Sequence, residues 1–244
     1  PITVSLINTL NANNYSEVIC DNLNDGNEIL DLATYNSLLI SNTSNCTFEY
    51  YNSLSGATNQ STINLITATN NYNLITGNHI IYVRINSNNG CHQIVELALT
   101  LVNKPIVLIA DITPICTGNN ITISAGLGFD TYNWSTGESS QSIVINQEGN
   151  YSVTVTKNNF GTICSTTKNF EVVLSNIATI SNIETIDWTD NENIITVNID
   201  SNSLGDYEYS LDGIHYQDSN VFNGLFSGQY SVYVRDKNGC GIVK

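Results

Sequence analysis

The sequence predicts an all-β protein, a tandem of immunoglobulin-like β-sandwich domains. Three observations predict it. Apolar and polar residues alternate with period two along many short stretches, the mark of half-buried strands. Turn pairs such as Asn89-Gly90, Asp212-Gly213 and Asn238-Gly239 separate them. One late-strand grammar also occurs three times. It reads Ile80-Ile81-Tyr82-Val83-Arg84-Ile85 and then Asn89-Gly90-Cys91. It returns as Gly149-Asn150-Tyr151-Ser152-Val153-Thr154-Val155, then Gly161 and Cys164. Its third form is Gly228-Gln229-Tyr230-Ser231-Val232-Tyr233-Val234-Arg235, then Asn238-Gly239-Cys240.

Each copy reads as a penultimate strand that turns through a hairpin into a final strand. The final strands fall at residues 95–101 and 170–174, with a third starting at Ile242. The repeats are too far apart for a solenoid, whose units run about 20–50 residues, so they mark whole domains. Boundaries fall at Asn103-Lys104-Pro105 and near Ser175-Asn176, giving domains 1–103, 104–175 and 176–244. Each has room for roughly seven strands, the size of an immunoglobulin-like sandwich. The second domain opens with a strand over residues 106–109 and continues with one over 120–124. Helical spacing is nearly absent; residues 29–39 allow one helix or helical turn inside the first domain. Pro1 stands where an initiator Met would be, no signal peptide is visible, and the third domain stops early. The expectation is a trimmed piece of a longer chain.

Composition narrows function. Seven basic residues face 22 acidic ones, a net charge of −15. That argues against nucleic acid and anionic membranes as partners, since both need Lys/Arg clusters. No apolar run approaches the ~20 residues that would span a bilayer. Asn is roughly one residue in six, and it tolerates the left-handed geometry of tight turns.

Six cysteines without a CxxC pair favour disulfides over zinc. Cys116 precedes an early strand of the second domain and Cys164 follows its late strand. A bond between them would close a loop of ~50 residues and contribute roughly 2–4 kcal/mol. By position, Cys20 and Cys91 are the equivalent pair of the first domain. Cys46 and Cys240 are left over. They are free, or Cys240 meets a partner outside this chain, or the two join across domains.

The stretch 207–240, with its Asp-Gly turn, Phe-x-Gly-Leu bend, Gly-x-Tyr entry and closing Asn-Gly-Cys, resembles the gliding-adhesin repeat. That repeat belongs to very long surface proteins of Bacteroidota that leave the cell by type IX secretion. Tyr132-Asn133-Trp134-Ser135-Thr136-Gly137 followed by Gly149-Asn150-Tyr151 resembles PKD-type immunoglobulin-like modules. The likeness implies a buried Trp134 and a Tyr151 hydroxyl bonded back at a strand corner. Cys20-Asp21, Asp25-Gly26, Leu30-Asp31-Leu32, Tyr50-Tyr51 and Gly90-Cys91 resemble a further module that often precedes these in type IX substrates. Together the resemblances imply an extracellular stalk or adhesin segment at the outer cell surface. Its partners would be other domains of the same long chain, the type IX secretion machinery, and surface glycans or other cell-surface proteins.

Candidate sites are few. The acidic loop from Asp21 to Asn27 is a weak calcium candidate through Asp21 and Asp25. Leu23 stands where an oxygen ligand is needed and no Glu closes the loop, so a plain polar turn is the simpler reading. No other cofactor is expected. His79, His92 and His215 have no nucleophile motif beside them, and no catalytic signature occurs, so no catalytic residue is assigned. The alternative function is a carbohydrate-binding module of a secreted polysaccharide-acting protein, with Trp188 as the stacking platform. Against it, Trp188 reads more simply as an early-strand core residue standing in for the missing early cysteine.

Overall fold

The computed structural model describes residues 10–187 and 190–244. It is almost entirely β, and it repeats one sandwich plan with variations. The described residues group into two compact units. One runs to Ile106 and includes Thr156–Thr166; the other comprises Val107–Val155 and Thr167–Lys244.

The first sandwich contains β1 (Tyr15–Asp21), β2 (Asn27–Leu30), β3 (Cys46–Tyr51), β4 (Tyr72–Ile75), β5 (Gly77–Ser87) and β6 (His92–Asn103). One sheet has the order β1-β6-β5-β3; β2 and β4 form the other. Strand β1 runs parallel to β6, with Cys20 opposite Val102, and the remaining ladders are antiparallel. Alternation does the packing. Ile81, Val83 and Ile85 of β5 and Val95, Leu97, Leu99 and Leu101 of β6 are all buried, and Leu74 joins them from β4. The helical spacing at 29–39 resolves into the end of β2, a 3₁₀ turn over Leu32–Tyr35 and helix α1 (Asn36–Leu39). Asp31 caps that turn, accepting from the Ala33 amide. A second helix, α2 (Leu54–Asn59), covers buried Arg84, whose guanidinium donates to the Ala57 carbonyl.

The second sandwich contains β7 (Ile112–Cys116), β8 (Ile121–Ser124), β9 (Thr131–Trp134), β10 (Ser142–Ile145), β11 (Gly149–Asn159) and β12 (Thr162–Ser175). The order β7-β12-β11-β9, with β8 paired to β10, repeats the plan of the first. Again the first strand is parallel to the last, and Cys116 faces Ser175. No strand forms over 106–109. Val107 and Ile109 enter the core and Ile106 and Leu108 face outward, so the alternation holds without a ladder. Trp134 is buried edge-on against Phe170, and its indole N–H donates to the Ser140 carbonyl. The Tyr151 hydroxyl donates to the Gln147 carbonyl, the strand-corner bond the sequence suggests.

The third sandwich contains β13 (Ile180–Ile186), β14 (Asn193–Ile199), β15 (Tyr207–Ser210), β16 (Val221–Leu225), β17 (Tyr233–Asp236) and β18 (Ile242–Val243). Its sheets are β13-β14-β16 and β15-β17-β18. Two details repeat earlier modules. Tyr230 donates to the Phe226 carbonyl as Tyr151 does to Gln147. Glu208 faces Arg235 across β15 and β17, as Glu49 faces Arg84 across β3 and β5.

Candidate functional site: two disulfide bridges and their acidic turns

The chain's most distinctive chemistry is covalent. Cys20 bonds Cys164, and Cys116 bonds Cys240, with Cα atoms 5.7 and 5.4 Å apart. This overturns the pairing Cys20–Cys91 and Cys116–Cys164. It also places Cys240 in a bridge and leaves Cys46 and Cys91 free.

The reason is the parallel pairing of first and last strands. Cys20 is the last residue but one of β1 and lies opposite Val102, near the end of β6. Cys91 sits before the start of β6, about eleven residues upstream, or roughly 36 Å at ~3.3 Å per residue. A disulfide spans at most about 7 Å between Cα atoms. The second module has the same arithmetic: Cys116 faces Ser175, and Cys164 lies about eleven residues earlier on β12. In each module the early and late cysteines therefore mark opposite ends of the sheet. Each early cysteine bonds instead to the late-hairpin cysteine of the following module.

Beside each bridge sits a buried carboxylate. Asp21 follows Cys20 and is 0% exposed. Its oxygens accept from the amides of Leu23 and Gly26, at 3.2 and 2.7 Å. Gly26 takes φ +88°, which a side chain resists, so the tight turn needs glycine there. The turn holds the segment that leaves the module. Asn24 exchanges two hydrogen bonds with the backbone of Lys104, and the Lys104 ammonium donates to Asn22. Asp25 is exposed and accepts from the Asn27 amide. The acidic loop thus spends its Asp21 oxygens on its own backbone and receives a lysine ammonium. Among the described residues, no group of three or more His, Cys, Asp or Glu side chains is placed to hold a metal.

Asp236 plays the corresponding part at the second bridge. It is 2% exposed. One oxygen accepts from the Ser175 hydroxyl and the Cys240 amide, at 2.9 and 3.0 Å. The other accepts from the Asp206 amide and the Asn238 side chain. Ser175 is the ladder partner of Cys116, so one carboxylate ties both ends of the bridge together. The next residue, Asn176, is gripped by the loop before β15. It accepts from Tyr207 Oη and the Leu204 amide, and it donates to the Asn202 carbonyl. Packing here is close. A Cβ on Gly205 would clash with Asp236 Oδ1 and the Tyr207 ring. Sequence reading missed Asp236, Ser175, Asn176 and Gly205. The available signal was an Asp four residues before Cys240 and another next to Cys20.

Trp188 lies outside the described residues. Thr185, Asp187, Asn193, Leu225, Phe226 and Tyr230 line a small surface hollow. No helix among the described residues is long and apolar enough to cross a membrane.

Strand order, repeated sandwich plan and bridge positions define a class: tandem immunoglobulin-like β-sandwich domains joined by disulfides, as in proteins that fold in oxidising compartments. Residues 16–105 match the family model of the Flavobacterium inter-domain disulphide bond domain. Similar solved structures include the amphioxus IgVJ-C2 molecule (15% identity, 52% of this chain and 94% of that one, TM-score 0.27). The FN1–FN3 domains of chicken CNTN1 are also similar (11% identity, 81% and 84%, TM-score 0.35). A third is the N-terminal four Ig domains of Dscam1 isoform 8.4 (12% identity, 98% and 72%, TM-score 0.28). No curated protein sequence matches this chain.

Proposed function

We propose that this chain is a non-catalytic, tension-bearing segment of a large cell-surface protein, a stalk or adhesin region exported by type IX secretion. It presents a tip or a sorting domain away from the membrane. The observation that carries the reading is the interlacing of the two bridges. The span 20–164 overlaps the span 116–240, so neither loop can be pulled out independently. A pull on the two ends passes through residues 1–20, crosses to 164, returns along the chain to 116, and crosses again to 240. The stretches 21–115 and 165–239 are shielded from extension by covalent bonds. Such wiring suits a chain under mechanical load. An enzyme would gain nothing obvious from it.

The bridges also suit export, because disulfides persist outside the cytoplasm. The acidic surface, with few lysines, keeps long arrays soluble and resists edge-to-edge strand pairing. Labelling of intact cells with a membrane-impermeant reagent tests the reading. Surface labelling that disappears when type IX export is blocked supports it; a protein found only inside intact cells contradicts it.

The hollow lined by Asp187, Asn193, Phe226 and Tyr230 favours a second reading, a carbohydrate-binding module. Phe226 and Tyr230 are exposed aromatics beside polar side chains, the pattern on which sugar rings stack. Specific binding on a glycan array, lost on Tyr230→Ala with the fold intact, would establish it.

A further inference from the structure

Cys91 and Cys46 are the free cysteines of this chain, and both are partly accessible. They cannot satisfy each other. Cys46 pairs with Ser87 across β3 and β5, and Ser87 donates its amide to the Cys91 carbonyl across the β5–β6 hairpin. The two cysteines thus sit two strands apart, about 10 Å at ~4.8 Å per strand, beyond disulfide reach.

Cys91, however, occupies a position that is bonded in both other modules. It sits in the turn between penultimate and final strands, as does Cys240, and Cys164 lies just inside the final strand β12. The likeness to Cys240 extends to the turn. Asn89-Gly90-Cys91 matches Asn238-Gly239-Cys240, and Gly90 and Gly239 have φ of +85° and +87°. The Gly90 amide donates to the Ser87 carbonyl as the Gly239 amide donates to Asp236. In the formed bridge, Thr117, Asn119, Asn176 and Ile177 line a hollow around Cys116 and Cys240. Beside Cys91 lies a comparable hollow, lined by Leu10, His92 and Gln93. In both formed bridges the partner is the cysteine at or next to the end of the first strand of another module: Cys20 for Cys164, Cys116 for Cys240.

We propose that Cys91 is the late-hairpin half of a third bridge of this kind. Its partner is a β-sandwich module whose first strand ends in an unpaired cysteine. Both first-strand cysteines of this chain are already bonded, so the partner is a module other than those described. The inference rests on the reading of the chain as part of a cross-linked array. The bond forms by thiol–disulfide exchange. A disulfide oxidant of the dithiol oxidoreductase class first forms a mixed disulfide with one thiol. The second thiolate then attacks it, the protein S–S bond forms, and the oxidant leaves as a dithiol carrying both electrons and both protons.

The test uses protein recovered from the cells that produce it, denatured in iodoacetamide without reductant, digested and mapped by mass spectrometry. The expected result is a Cys91 peptide linked to a peptide whose cysteine closes a first strand, exceeding alkylated Cys91 at least ~10-fold, as for a structural disulfide. Alkylated Cys91, a Cys91–Cys46 link, or a link only to a small thiol overturns the proposal. If Cys20–Cys164 and Cys116–Cys240 are intact in that sample, the stalk reading survives the failure. If all six cysteines are alkylated, both fall.

Discussion

The first and third sandwiches reach stability by different routes. The first has a broad aliphatic core, with Leu32, Leu39, Leu74, Val83, Leu97 and Leu99 each fully buried and two short helices closing its sides. Among the described residues the third core has half as many buried members: Ala178, Ile195, Val197, Tyr207, Tyr209, Val232 and Val234. A module with so little apolar burial is marginal on its own. It compensates with polar and covalent ties, all near Asp236: the Cys116–Cys240 bridge, the Ser175 hydroxyl, and the Asn176 clamp. The contrast teaches that the bridge serves the weaker module most. It also implies that each module has its own weak point.

The largest expected effect comes from removing that bridge. Cys116→Ser with Cys240→Ser should destabilise the third module by about 2–5 kcal/mol. Hydrogen exchange should then accelerate in β14 and β17 and stay unchanged in β5 and β6; equal acceleration in all four would break the comparison. Next comes Asp236→Ala, which leaves the buried Ser175 hydroxyl and the Cys240 amide without their acceptor. The cost should be about 2–3 kcal/mol by denaturant unfolding. Asp236→Asn keeps an acceptor and should lose less. Gly205→Ala forces a Cβ against Asp236 and Tyr207, for about 1–3 kcal/mol. A neutral result there would mean the loop before β15 relaxes freely.

Alkali should reverse the order. Burial pushes the Tyr50 phenol of the first core up to about 12. Tyr35 is raised as well, chiefly by burial and then by its hydrogen bond to Glu17. A raised folded value means the stabilisation is whole below the ordinary tyrosine range, near ~10, and drains away as pH climbs through the folded value. The first module should therefore loosen between pH 10 and about 12, seen as ultraviolet titration of Tyr50 coupled to exchange in β5. Tyr50→Phe should move the loss to higher pH. This is the smallest effect, since at neutral pH it vanishes.

Period-two alternation made the strands legible, and the thrice-repeated late hairpin made the modular plan legible. Trp134 and Tyr151 could be placed because each has one physical role in such a sandwich, a core ring and a corner hydroxyl. The cysteine pairing was not legible. Equivalent positions in each module suggested bonds within modules. Only the parallel ladders Cys20–Val102 and Cys116–Ser175 reveal that the two cysteines of a module mark opposite ends. The way the acidic loop uses its carboxylates was not legible either. Asp21 looks like a cation ligand in sequence, and only its burial shows both oxygens turned onto the amides of Leu23 and Gly26. Non-local geometry decided both cases.

The interlaced wiring is tested most directly by single-molecule pulling on the two ends of the chain, with and without reductant. Under oxidising conditions only residues 1–20, 116–164 and 240–244 extend, about 250 Å at ~3.4 Å per residue. Reduction should release the whole chain, to about 830 Å. An oxidised length near 430 Å, as bonds Cys20–Cys91 and Cys116–Cys164 would give, or one unchanged by reductant, contradicts it.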